Sequence, residues 1–288
     1  MNFSSWAIRN KLILFFLLMG LIPLIGYAWF SNNKIADELT NVNRERLISL
    51  RELKKIQIEE YFEQIKNQIQ TFSESITVID AMGKFGGAFN FVEDQLGQNF
   101  TDDKKSKLMA RYTYQEENTP GASKDAVSRW FPENKTTQIL QSLYISENPN
   151  PIGEKHKLDT NSEFSTYNQI HEQYHPTIRK YLEKNGYYDI FLVDAETGYI
   201  VYSVFKEVDY ATNLKTGPYS NSGIGRAFKG VMNASEPDAF ILDDFAPYEP
   251  SYNAPAAFIA SPIMDVGEIV GVLIFQAPID KIDGVMTS

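Results

Sequence analysis

His171-Glu172-Gln173-Tyr174-His175 places two imidazoles one helical turn apart, with a carboxylate beside the first. On an uninterrupted helix this spacing lets both rings hold a zinc ion while the glutamate activates a water. Pro176 follows at once and disfavours helical backbone at His175. No third ligand stands at a familiar spacing downstream. The plainer reading is a surface helix that ends at a proline, so no catalytic residue and no metal ligand is assigned. An exported zinc hydrolase using His171 and His175 is the competing function from another class. Asp243-Asp244 is the second conspicuous pair. Neighbours on a strand point to opposite faces, so these carboxylates do not form a dyad with each other. One is expected to face a pocket, with an ion pair between Asp243 and Arg226 as the alternative to ligand contact.

Binding chemistry is better served by Tyr202, Tyr219, Arg226, Asp243, Tyr252, Phe258 and Ser261. Aromatic walls exclude water, while hydroxyls and a charged group orient a small polar metabolite. Core packing with a satisfied hydroxyl is the alternative for each tyrosine, and a collapsed core without any pocket the alternative for the whole. The reading predicts that these residues line one pocket, under a linker that arches over a small sheet. It implies no cofactor.

The elements that must position them begin with Tyr187 to Phe205. Two apolar arms, Ile190 to Val193 and Ile200 to Phe205, flank Asp194-Ala195-Glu196-Thr197-Gly198, a hairpin reversal. Neither arm alternates cleanly, so both faces of the sheet are expected to be covered. Asp209 to Asn233 reads as a connection with one short helix at about Ile224 to Val231. Three more strands follow at Ala239 to Phe245, Ala256 to Pro262 and Ile269 to Gln276. Two strands, a helical connection and three strands is the order of a PAS-like antiparallel sheet.

Upstream, Leu12 to Phe30 holds no charge over a stretch close to bilayer thickness, with Arg9 and Lys11 before it. The positive-inside rule puts the N-terminus in the cytoplasm and the chain beyond Phe30 outside it. A cleaved signal peptide, cut near Gly26 and Ala28, is the competing reading. Ser31 to Met82 lacks Pro and Gly, and carries a heptad: Ile58, Ile65, Phe72 and Ile79 at one position, Phe62, Ile69 and Ile76 at the other. That seam fits a core-facing helix or a parallel homodimer. Gly83, Gly86 and Gly87 are expected to break the helix. Helical patterns then run from Phe89 to about Lys107 and Ala126 to about Ser146. A further helix from Glu163 stops at Pro176, and Thr177 to Lys184 forms another. The reading is α+β, in four parts: 1–30 cytoplasmic end and anchor, 31–82 long helix, 83–186 helical region, 187–283 sheet domain.

A net charge of −10 lacks the basic face of a nucleic-acid binder, and the absence of cysteine excludes disulfides and thiolate chemistry.

YYDIFLVDAETGYIVYSVFKEVDYATNL, GPYSNSGIGRAF, DDFAPYEPSYNAPAAFIASPI and GVLIFQAPID resemble the membrane-distal sensing domain of double-Cache bacterial receptors, mostly methyl-accepting chemotaxis proteins. RNKLILFFLLMGLIPL resembles the first membrane span of such receptors. The resemblance is dense from about Tyr144 to Met286. It implies an inner-membrane, single-pass protein whose periplasmic or extracellular domain binds a small molecule and signals along its long helix. A sensor part of a histidine kinase or cyclase is the alternative. Such receptors continue into a second Cache domain, a second span and an output region, so a chain ending at Ser288 is expected to be truncated before its output. The pattern of amino-acid-binding members is not recognisable, which leaves the ligand open.

Overall fold

The computed structural model describes residues 7–234, 236 and 238–287. The chain divides between Glu60 and Tyr61 into two units. In the first, helix α1 (Ile8–Ser73) carries the apolar stretch with its side chains exposed, and continues without interruption past Pro23. It is the one described helix long and apolar enough to cross a membrane.

In the second unit, α1 ends at Ser73 and α2 (Ile76–Phe89) starts after a two-residue break. Ser75 makes that break: its hydroxyl accepts the Val78 N–H at 3.3 Å, an N-cap that restarts the helix. Gly83, Gly86 and Gly87, expected to break the helix, lie inside α2. Packing overrides their poor propensity, because α2 buries Val78, Ala81, Met82 and Phe85 on the sheet. The smallness of Gly86 matters, since a Cβ there would stand 3.4 Å from an Asp194 carboxylate oxygen.

Helices α3 (Val92–Leu96), α4 (Asp102–Asn118), α5 (Ala126–Trp130) and α6 (Lys135–Gln141) follow, all short but α4, then a π-helical turn at Ser142–Ser146 and a 3₁₀ turn at Ile152–Lys157. Helix α7 (Thr166–Asn185) runs from the Ser165 N-cap to Gly186, which has φ 75° as a left-handed stop. It passes straight through Pro176, against the expectation of two helices. The bond that Pro176 cannot make belongs to Glu172, on the exposed side, while Tyr174, His175 and Ile178 anchor the turn inside.

Strands β1 (Asp189–Asp194), β2 (Ile200–Ser203), β3 (Ile241–Tyr248), β4 (Ala254–Asp265) and β5 (Glu268–Pro278) form one antiparallel sheet in the order β2-β1-β5-β4-β3. This is the expected α+β architecture and PAS-like order. Helix α8 (Gly223–Met232) lies between β2 and β3 in sequence, and α9 (Asp280–Thr287) follows β5.

Both faces are covered, each by a different core. Ile190, Leu192, Ile259, Leu273 and Phe275 pack with Ile65 and Ile69 of α1, with α2 and with α7. Phe191, Val193, Phe258, Val272 and Ile274 pack with α8, Leu108 and Tyr112 of α4, and Ala126 and Trp130 of α5. Ile65 and Ile69 are buried and Phe62, Phe72 and Ile79 half-buried against the same core. This part of the heptad is therefore core-facing, and each buried Ile contributes about 1.5–3 kcal/mol. Ile76 departs from the seam and stands exposed, because the break at Ser73 resets the helical phase.

Gly271 on β5 is where α2 presses closest. A Cβ there would fall 2.4 Å from the Met82 sulfur and 3.0 Å from the Val193 carbonyl oxygen. Gly271→Ala is expected to lower stability by about 1–3 kcal/mol through overpacking, read by denaturant unfolding. Pairing it with Met82→Ala should return part of that loss, and strictly additive losses would refute the contact.

Candidate functional site

Lys206, Glu207 and Asp209 put three charges into four residues, a pattern that ordinarily faces solvent. All three side chains are buried, Lys206 completely. Asp189, the first residue of β1, sets this up. Its Oδ1 accepts the backbone N–H groups of Ile190, Val204 and Phe205 at 2.6, 2.9 and 2.9 Å. Oδ2 accepts the Ser203 hydroxyl at 2.7 Å, and that hydroxyl oxygen accepts the Lys206 N–H at 2.9 Å. The chain leaving β2 is thereby turned, with Lys206 at φ 60° and Ala211 at φ 64°. Lys206 goes toward Tyr144 and Tyr202 in the helix-side core, while Asp209 meets Tyr248 in the α8-side core.

On the α8 side, the Tyr248 hydroxyl donates to Asp209 Oδ2 at 2.6 Å. Asp209 Oδ1 and the Tyr219 hydroxyl are buried without a hydrogen-bond partner. The Tyr219 and Tyr248 rings meet edge to face at 6.1 Å. Tyr112 donates to Gln141 at 2.6 Å, and Gln141 in turn donates to the carbonyls of Val208 and Tyr210, fixing the backbone on either side of Asp209. Glu207 accepts the hydroxyls of Tyr188 at 2.8 Å and Ser251 at 2.7 Å. Burial holds the Asp209 carboxyl well above the usual range, reinforced by the charges of Glu207 and Asp189. Burial also raises Glu207 to about 7, opposed first by Lys155. Asp189 stands at about 6, where burial outweighs the bonds from Ser203, Phe205 and Ile190. A separate open cleft of ≈ 740 Å³ is lined by Phe131, Thr137, Tyr199 and Thr212 among others, and by none of Tyr112, Glu207, Asp209, Tyr219 or Tyr248. The Phe131 ring lies 5.2 Å from Tyr112, and Thr212 donates to the Asp209 carbonyl at 2.6 Å.

The residues singled out from sequence do not form one pocket. Tyr219 and Phe258 share the α8 face, with Phe258 4.8 Å from the Tyr248 ring. Arg226 and Asp243 close on each other at the surface, Nε to Oδ2 at 2.7 Å and Nη2 to Oδ1 at 2.6 Å. Asp243 is turned inward relative to exposed Asp244, as strand alternation requires, but the bidentate pair occupies it. Tyr252, half-buried at φ 56°, ends the 3₁₀ turn Glu249–Ser251. Tyr202 and Ser261 sit on the opposite face. Ser261 shares strand parity with Ala257, Ile259 and Ile263 and lies 3.4 Å from the Ser73 hydroxyl. Tyr202 opposes Leu192 and donates to His175 Nδ1 at 2.7 Å. The expectation of a common wall for all seven is thus corrected by face parity.

Sequence reasoning passed over Tyr112, Gln141, Glu207, Asp209 and Tyr248. The one available signal was the charge run flanked by Val204, Phe205, Val208 and Tyr210, too apolar a setting for a solvated loop.

On the helix side, the rings of His171 and His175 stack at 4.3 Å, both buried. His175 Nε2 donates to the His156 carbonyl at 2.6 Å, so its Nδ1 is the acceptor for Tyr202 and neither nitrogen is free. His171 Nδ1 donates to the Asp159 carbonyl at 2.7 Å. Glu172 points to solvent, away from both rings. Burial and the Lys206 charge hold His171 well below its ordinary value and push His175 down to about 2.

No protein-family model and no curated protein matches the chain. Among solved structures, the V. cholerae histidine kinase DctB sensor domain is similar at 15% sequence identity and a TM-score of 0.29. The match covers 71% of this chain and 61% of that one.

Glu207 gives a pH test. Its folded-state value lies above the ordinary 4.5, so its contribution to stability is full below 4.5 and is lost as pH rises through about 7. Glu207→Gln removes the charge and keeps one acceptor oxygen for the Tyr188 and Ser251 hydroxyls, its NH2 taking the other oxygen's place as a donor. Its melting temperature is expected to exceed that of the wild type at pH ~8 and the gain to vanish by pH ~5. A difference that is flat or grows toward acid would contradict the assignment.

Proposed function

We propose that the chain is the extracytoplasmic, small-molecule-binding part of a membrane-anchored bacterial receptor that binds its ligand without transforming it. Chemotaxis is the process it serves, on the resemblance of its hairpin and connection to double-Cache chemoreceptors. The observation that carries the binding reading is Asp209. One carboxylate oxygen is held by Tyr248 and the other is buried without a donor, in the α8-side core that also holds Tyr112 and Tyr219. An acceptor left in that condition costs about 1–3 kcal/mol, which a ligand bearing an ammonium or other N–H donor recovers on binding. Such a site costs a packing-only domain stability without return.

The anchor reading assigns Arg9 and Lys11 to the cytoplasmic side and the sheet domain to the other. Ile35, Leu39, Val42, Leu53 and Ile56 make an exposed row at alternating spacings of four and three, with Arg46 and Ser49 at the two intervening positions. That row supports a parallel homodimer through the long helix.

Thermal unfolding of the full chain in detergent, against a panel of small metabolites bearing ammonium groups, tests the site. At least one is expected to raise the midpoint, by about 2.7 kcal/mol of stability at a hundredfold excess over Kd. Asp209→Asn should remove that rise; a rise unchanged in the variant would take Asp209 out of the site. The helix pair has a separate test, since the chain has no cysteine. Leu53→Cys is expected to cross-link between copies in membranes and Leu47→Cys, on the far side of the helix, is not. Equal cross-linking at both positions counts against the seam.

A further inference from the structure

At one end of the sheet, the turn after β1 and the start of β5 meet helix α2 around an open cleft of ≈ 580 Å³. That is the size of a small-molecule site, and no residue of the Asp209 cluster lines it. Gly83, Gly86 and Gly87 give α2 a wall of bare backbone there. Gly86 is small for a reason within the chain, the nearby Asp194 Oδ2. Gly83 and Gly87 have no such reason, since a Cβ at either would meet nothing within 4 Å. Glycine weakens a helix interior, so what these two add is the width of the cleft. Met82, Phe89 and Val201 supply its buried apolar surface. Asp194, Glu196 and Glu268 bring three carboxylates to it, and none of the three is ion-paired among the described residues. Asp194 Oδ1 is taken by the Thr197 N–H and hydroxyl at 2.7 and 2.6 Å, which leaves Oδ2 to the cleft. The lysines at hand are engaged. Lys215 Nζ donates to the Glu196 carbonyl at 2.6 Å, and Lys84 of α2 donates to Asp80 and Tyr174 at 2.9 and 2.7 Å.

From this cavity and its charge we propose that the cleft binds a linear aliphatic polyamine. Three carboxylates without cationic partners select a cation, and more than one of them selects more than one ammonium group. The apolar surface selects against a bare divalent metal ion, which asks for six or more oxygen ligands around it. It suits the methylene links between ammonium groups, which lose water on Met82, Phe89 and Val201 while the charged ends stay at Asp194, Glu196 and Glu268. A thin, unbranched chain is what a wall of bare backbone admits closely, because no side chain of Gly83 or Gly87 stands in its way. The chain's net charge of −10 favours the encounter with a polycation. This site is separate from Asp209 and does not rest on the receptor reading.

The test is calorimetric titration of the full chain, in uncharged detergent, with spermidine and with butylamine as the single-charge control. Spermidine is expected to bind one to one, about tenfold or more tighter than butylamine, and to weaken as salt is raised. The double variant Glu196→Gln with Glu268→Gln changes two exposed side chains and should lower spermidine affinity about tenfold or more. Gly83→Leu separates binding from folding. It replaces a helix-interior glycine where a Cβ meets nothing, so its melting midpoint is expected to rise while its spermidine affinity falls several-fold. Asp209→Asn should leave spermidine binding unchanged. Loss of binding in Asp209→Asn alone would assign the amine to the Asp209 site and overturn this proposal. Absence of spermidine binding to the wild type, or affinity undiminished in both the glutamate pair and Gly83→Leu, overturns it as well, and neither result bears on Asp209.

Discussion

The carboxylate of Asp189 is the constraint on which the domain turns. It accepts three backbone N–H groups and one hydroxyl, which ordinarily drives a carboxyl far down in pKa. Here burial wins and the group is raised to about 6. The carboxylate is thus costly to keep charged and costly to lose, because the Phe205 N–H and the Ser203 hydroxyl bond to it, while the Val204 N–H it also accepts has a second partner in the Ile190 carbonyl. Holding Val204 and Phe205 in place sends the next residues through left-handed backbone at Lys206, where a non-glycine side chain is uncommon. The crossing of Lys206 to one face and Asp209 to the other follows from that clamp.

Two chemically different enclosures result on the two faces of one sheet. The helix side collects the three histidines' surroundings, Tyr144, Tyr202 and Lys206, with hydrogen bonds that fix each buried imidazole tautomer. The α8 side collects Glu207, Asp209 and a ring of tyrosines, where Asp209 Oδ1 and the Tyr219 hydroxyl are both left without partners. β1 and β5 run between them, fully buried over Ile190 to Val193 and Val272 to Phe275. A shift of the chain from Ser203 to Ala211 bears on both faces at once. This coupling is geometric, through a covalent segment pinned at Asp189, Gln141 and Tyr248.

The elements were legible where a local cause sufficed. The hairpin at Asp194 to Gly198, the three later strands and the helix near Ile224 declare themselves through apolar runs and turn residues. Both-face burial was readable from arms that fail to alternate. The glycines of α2 and Pro176 of α7 misled, because propensity was outweighed by apolar side chains that pack on the sheet. The site was harder. Tyr219 and Phe258 were visible as aromatic wall, yet the face on which Tyr202 and Ser261 fall depends on register and on the bulge between Leu192 and Val193.

By itself the sequence determined the apolar N-terminal stretch, the sheet's strand content and the absence of thiol chemistry, since each is a property of composition or of neighbours a few residues apart. Only the tertiary structure decided that Lys206, Glu207 and Asp209 are interior, that Arg226 is spent on Asp243, and that the histidine pair answers to backbone carbonyls. Burial and hydrogen-bond partners come from segments far apart in the chain. No local pattern carries that information, because the same charged run would be solvated wherever nothing distant closed over it.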